Sequence, residues 1–244
     1  MTLPPTLSAT PAHPAPAPPQ SPVRFPLGWI IQHAAAPLQY RAITEIARLA
    51  EQVGPRVAAI TYSYPPALAL ALQQRVDGTL NESMLALPSA KSDVFEGIGT
   101  INAVRRLLEY GWDKDSPPIY HSRRALFRLL AEDTDPEFLY ELGAKANDED
   151  LVRRGRAILR EAAGATLAQA GYEDDPRLRG AARRVLERVT GFLRSPLAQK
   201  PWIRVGNQHV LTNEAAPPSI YGLLMFAYMP LFRTEHHEAM DRLY

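Results

Sequence analysis

No cysteine occurs among the 244 residues. Disulfides, thiolate nucleophiles and thiolate metal ligands are therefore outside the chemistry open to the chain. Neither sign of charge is in excess, because 27 Lys and Arg stand against 26 Asp and Glu for a formal net charge of +1. No overall field draws the chain to nucleic acid, which is excluded as an expected partner. No stretch approaches the ~18 apolar residues that a membrane-spanning helix needs. Residues Met1 to Ser21 lack the basic region and continuous apolar run of a secretory signal, so a cytoplasmic protein is expected. The GxSxG, GxxxxGK and GxGxxG patterns are missing too, and with them the sequence signs of a nucleophile elbow, a phosphate cradle and a dinucleotide fold.

The chain has the apolar content that folding requires: 46% of residues are apolar and 22% charged, typical of packed globular domains. Its length suits one large helical domain or two modest ones. Residues 1–27 read as an extended, solvated tail, because prolines at 4, 5, 11, 14, 16, 18, 19, 22 and 26 remove backbone donors and restrict their predecessors. A PxxP ligand for a small module is a second reading of that tail. Residues 28–244 then form the ordered domain, with order beginning near Trp29.

Apolar spacing of three and four predicts a helix over 37–53 that stops at Gly54-Pro55. A second starts at Pro65-Pro66 and continues through alternating Ala and Leu to Val76, closed by Asp77-Gly78. Residues 99–109 form a third, ending at Gly111, and Asp113 to Pro118 start a fourth over about 119–131. The same arrangement returns sixty residues on: a helix ends at Ala170, Gly171-Tyr172-Glu173-Asp174-Asp175-Pro176 turns the chain, and a helix extends through Leu193. Arg123-Arg124, Arg153-Arg154 and Arg183-Arg184 recur at intervals of thirty. Such periods belong to helical repeats, whose hairpins bury their apolar stripes only against neighbours.

Two short apolar runs flank Gly206-Asn207, which predicts a small β-hairpin near 202–211. Residues 219–232 are apolar nearly all round and read as one buried helix. The last ten residues resemble an uncapped helix start, so the natural chain is expected to continue past Tyr244. The fold class is thus all-α, with stacked antiparallel helix pairs in a toroid-like or solenoid-like array and one hairpin.

Three acidic clusters, 132–135, 148–150 and 173–175, have the side chains to bind Mg²⁺ or donate protons. All precede helix patterns, where acids also cap the positive end of the dipole. Asp174 and Asp175 are the candidates there for polar catalytic work, together with His209. His237 and Asp241 share a helix face at i, i+4 and are candidate metal ligands without a third partner in sequence; no metal or cofactor is expected. Aromatic residues including Trp112, Tyr172, Tyr221 and Tyr228 line an apolar cavity in one reading and fill the core in the other.

The pairs over 99–194, with Arg105-Arg106-Leu107-Leu108-Glu109-Tyr110-Gly111 before Asp115 to Pro117, and Ala168-Gln169-Ala170-Gly171 before Asp175-Pro176, resemble the α/α-toroid repeats of terpenoid cyclases and protein prenyltransferase β-subunits. That resemblance covers about two fifths of the chain and implies shape. It does not imply those activities, since the DxDD and glutamine-tryptophan motifs of the hopene-cyclase type are missing, and a cysteine-free chain cannot supply the prenyltransferase zinc set. The expected function is a non-catalytic helical-repeat binding or interaction module for a protein or peptide. The alternative is an enzyme or carrier holding an isoprenoid-like apolar molecule in a toroid cavity.

Overall fold

The computed structural model of the chain describes residues 26–49, 57, 59–80, 83–86, 98–131, 149–212 and 214–243. Helices make up most of them: α1 (Leu27–His33), α2 (Ala36–Arg41), α3 (Pro65–Ala71), α4 (Gly99–Glu109), α5 (Pro117–Leu130), α6 (Glu149–Gln169), α7 (Pro176–Arg194), α8 (Ile220–Ala227), α9 (Pro230–Glu235) and α10 (His237–Met240). Proline stands in the first turn of α2, α3, α5, α7 and α9, where its missing N–H is no loss and its fixed φ suits the helix. A single antiparallel hairpin joins β1 (Trp202–Val205) to β2 (Gln208–Leu211).

The two helix pairs turn by the same device. At the end of α4 the Gly111 N–H donates to Leu108 O (3.0 Å) and the Trp112 N–H to Leu107 O (3.1 Å). At the end of α6 the Gly171 N–H donates to Ala168 O (2.9 Å) and the Tyr172 N–H to Leu167 O (3.1 Å). Both are Schellman caps, with glycines at φ 92° and 86° in the left-handed region the cap demands. An aromatic residue follows each glycine and reaches another part of the chain, Trp112 to Tyr62 and Tyr172 to Phe127. The starts differ by one residue: Ser116 is the N-cap of α5, and Asp175 caps α7 by accepting from the Arg177 N–H.

Packing centres on α6, where every residue from 161 to 168 is buried. It packs on α4, α5, α7 and α8, while α3 packs on α4 and α5 on α7. Small residues let α8 approach α6 closely: a Cβ on Gly164 would lie 2.7 Å from Met225 Sδ. Leu107, Trp112, Ile119, Leu126, Leu167, Leu178 and Phe232 belong to one continuous apolar core.

Three expected helix bounds are corrected. The helix over 37–53 instead leaves α geometry at Ala42, passes through a π turn over Ala42–Ile46, and ends before Arg48 at φ 55°. Thr44 Oγ1 donates to the Tyr40 carbonyl (2.9 Å), a back-bond that competes with the helical ladder; the expected Gly54-Pro55 stop lies outside the described residues. Helix α3 ends at Ala71 rather than Val76, because Asp77 Oδ1 accepts from the Thr79 N–H and hydroxyl and Gly78 takes positive φ, so the chain reverses and Gln74 pairs with Leu80. The single buried helix over 219–232 is two helices broken at Pro230, which has no N–H to continue the first. Its burial is one-sided: Met225, Phe226, Met229 and Phe232 face the core, and Ile220, Leu223, Tyr228 and Leu231 are exposed.

Candidate functional site

Where the two helix-pair corners face α2, the surface opens into a cleft of about 620 Å³. Its walls come from Tyr40, Arg41 and Glu45, from the ends of α4 and α6, from the corner Trp112 to Asp115, and from Tyr228. Two helices end here, so the negative poles of their dipoles add to the carboxylates of Glu45, Glu109, Asp113 and Asp115, against Arg41 and Lys114. Much of this charge is already paired. Arg41 forks onto Glu45 at 2.9 and 3.1 Å, and Asp113 Oδ1 accepts from the N–H groups of Asp115 and Ser116 and from the Ser116 hydroxyl. Burial, with Asp113 and Glu45 nearby, pushes the Tyr40 phenol above its ordinary pKa, so it stays a neutral donor. The cleft suits hydrogen bonding to a polar molecule. Among its described lining residues no serine, threonine or histidine stands beside a base.

A buried polar cluster lies between α6, α7 and the start of α8. Glu161, 5% exposed, accepts from Arg188 Nη2 at 2.6 Å and from the Ser219 hydroxyl. Ser219 Oγ in turn accepts from the Gly222 N–H (2.9 Å) as the N-cap of α8. The cluster fixes three elements and was missed by the sequence reading. Its signal was there: Glu161 opens the stretch Ala162-Ala163-Gly164-Ala165, which has no polar stripe, and a helix buried all round must partner any charge it carries. Glu173, read as one of three corner acids, also has a task of its own. It is buried, and its Oε1 accepts from the Phe232 N–H (2.7 Å), capping α9 from 59 positions upstream.

The candidate residues are not brought together. Asp175 is a helix cap, ion-paired with Arg177 at 2.8 Å, and Asp174 beside it is exposed. His209 is exposed on β2, paired across the ladder with Arg204. His237 starts α10 and Asp241 closes it, joined by the Asp241 N–H to His237 O bond (2.8 Å); both are exposed, and no group of three His, Cys, Asp or Glu suited to a metal occurs among the described residues. Clusters 132–135 and Asp148 lie outside the described residues. The aromatic residues pair with one another: Tyr62 on Trp112 at 5.0 Å, Phe127 on Tyr172 at 5.7 Å, Phe226 on Phe232 at 6.1 Å.

The hairpin gathers five exposed apolar residues on one short ribbon. Gly206 takes φ 61° at the first turn position, as a type II′ turn asks, and all eight strand residues are exposed. Register pairs Trp202 with Leu211 and Ile203 with Val210. Alternation puts Trp202 and Leu211 on one face and Ile203, Val205 and Val210 on the other. The strands pack chiefly on each other.

No family model, no curated protein and no solved structure matches this chain.

Proposed function

We propose that the chain is a non-catalytic interaction module, its helix pairs stacked in a toroid-like or solenoid-like array, that binds a partner protein through the 202–211 hairpin. One observation carries the reading: Trp202, Ile203, Val205, Val210 and Leu211 stand in solvent on both faces of a ribbon that packs chiefly on itself. A two-stranded ribbon that covers neither face is marginal alone, and apolar surface of this kind marks recognition sites. The array rests on the Schellman corner repeated at sixty residues and on the packing of α4 against α6 and α5 against α7. The isoprenoid alternative has less behind it, since the cleft that Trp112 and Tyr228 help to line is walled by Arg41, Glu45, Glu109 and Asp113 as well and is not an apolar cavity.

Native mass spectrometry of the full chain, purified from its own cells, tests this. The expected result is a stoichiometric complex with a second protein that the I203S/V205S/V210S variant loses. A co-purifying polyisoprenoid with no bound protein contradicts the reading.

A further inference from the structure

The hairpin's charge and its open edge narrow the class of partner; this inference rests on the interaction reading above. From Arg194 to Asn213 the chain carries Arg194, Lys200 and Arg204 and no Asp or Glu. Arg204 is the one Lys or Arg of the hairpin, with Lys200 two residues before β1, and no carboxylate lies between Lys200 and Asn213. The Thr212 N–H to Pro201 O bond (3.0 Å) fixes the phase of the ladder. Antiparallel alternation then turns the backbone groups of Ile203 and Val205 inward to β2, and those of Trp202 and Arg204 outward along the free edge of β1. No bond of the described residues uses that outer edge.

We infer that the β1 edge takes an extended, acidic protein segment as a third antiparallel strand, with carboxylates on the Arg204 face and apolar residues against Ile203 and Val205. Strand addition gives main-chain hydrogen bonds, and side chains directly across the new pair supply the selection. A second copy of this chain brings Arg204 against a like-charged edge, so self-pairing is disfavoured. A lipid surface fits poorly as well: the apolar residues are mostly at the base, while Arg204, Asn207, Gln208 and His209 surround the tip that would enter first.

The test uses the full chain and fluorescently labelled synthetic peptides of about eight residues, a length matched to short strands, in which glutamate alternates with valine. Anisotropy should show binding that weakens with salt. The lysine counterpart should bind about tenfold more weakly, as expected when the pair with Arg204 changes sign and Lys200 adds its repulsion. N-methylation of alternate peptide amides should abolish binding, and the K200E/R204E variant should reverse the preference between the two peptides. Equal binding of the two peptides, indifference to N-methylation, association only with phosphatidylserine vesicles, or self-association through the hairpin each overturn the inference. If the I203S/V205S/V210S variant loses the native complex yet the acidic peptide never binds, strand addition is wrong and the interaction reading stands. If the native complex survives that variant, the interaction reading itself fails.

Discussion

The hydroxyl of Tyr172 donates to the backbone carbonyl of Lys114 at 3.2 Å, so the corner of the second helix pair is tied to the corner of the first. Trp112, which holds the equivalent place in the first corner, donates its indole N–H to the Thr61 carbonyl at 3.3 Å. Each corner is thereby fastened to the chain before it by the aromatic residue that follows the cap glycine. Tyr172→Phe is expected to lower unfolding stability by about 0.5–1 kcal/mol, because water reaches the freed carbonyl. Trp112→Phe is expected to lose about 1–3 kcal/mol, since it removes a buried hydrogen bond and leaves a void, although the Thr61 carbonyl keeps the Tyr64 N–H (3.3 Å). Urea unfolding measures both, and equal losses would show that burial of the Trp112 tie adds nothing to it.

The two cap glycines should respond differently to the same substitution. At Gly171 a Cβ meets nothing within 4 Å, so Gly171→Ala carries only the left-handed strain of about 1–2 kcal/mol. At Gly111 the Cβ would stand 2.4 Å from Tyr40 Cδ1 and 2.7 Å from Thr61 Cγ2. Gly111→Ala adds about 1–3 kcal/mol of overpacking to the same strain. Thermal unfolding of the pair should rank G111A well below G171A.

Arg188→Met should leave the Glu161 carboxylate with Ser219 as its remaining partner. The guanidinium side chain is 38% exposed, so solvent screens part of the pair and the loss is set at about 1–3 kcal/mol, below that of a fully buried ion pair. The double variant E161M/R188M should be more stable than R188M alone, because no charge is then left uncompensated. A double-mutant cycle in urea that gives purely additive losses would sink this account.

Asp175 has its pKa lowered by the hydrogen bond from the Arg177 side chain, which outweighs the opposing effect of burial, and the Arg177 backbone N–H lowers it further. A carboxyl held lower in the folded state than its ordinary ~3.9 stabilises the protein above that value, and the contribution disappears as pH falls through the folded-state pKa. Asp175→Asn keeps a capping oxygen but removes the charge, so its stability should converge on that of the natural chain at acid pH and lie below it at neutral pH. Asp175→Ala loses the cap as well and should cost about 1 kcal/mol at acid pH, with the charge contribution added to that at neutral pH. Unfolding curves collected across the acid range provide the check.

The helix pairs over 99–194 were legible because their punctuation is local: a glycine that must adopt positive φ, an aromatic that follows it, an acid or serine that caps, and a proline that starts. The hairpin at 202–211 was readable for the same reason, with Gly206 at the turn. Helix ends set by distant partners were not readable. Nothing near Leu72 announces that Gln74 Nε2 will bond Pro118 O at 2.7 Å and Ser122 Oγ at 3.0 Å, which holds the reversed chain in place. Pro230 was visible, yet the apolar run around it outweighed it in the reading of 219–232. Of the candidate site residues, Asp175 is a cap of the kind its position before a helix suggested. Glu161 was overlooked because its partners Arg188 and Ser219 lie 27 and 58 positions away.

Glu173 gives the C-terminal part of the chain an order of assembly. Helix α9 has six residues, too few to persist alone, and its buried Phe232 N–H finds an acceptor only on a carboxylate presented by the α6–α7 corner. The ends of α9 are held from the same side, by Glu173 at the start and by Arg179 on Glu235 at the finish. The consequence is hierarchical folding, in which the last helices crystallise onto a corner that already exists and melt before it does. Pulsed hydrogen exchange should find the amides of 230–240 protected later than those of 161–192, and simultaneous protection would show that the corner is no template.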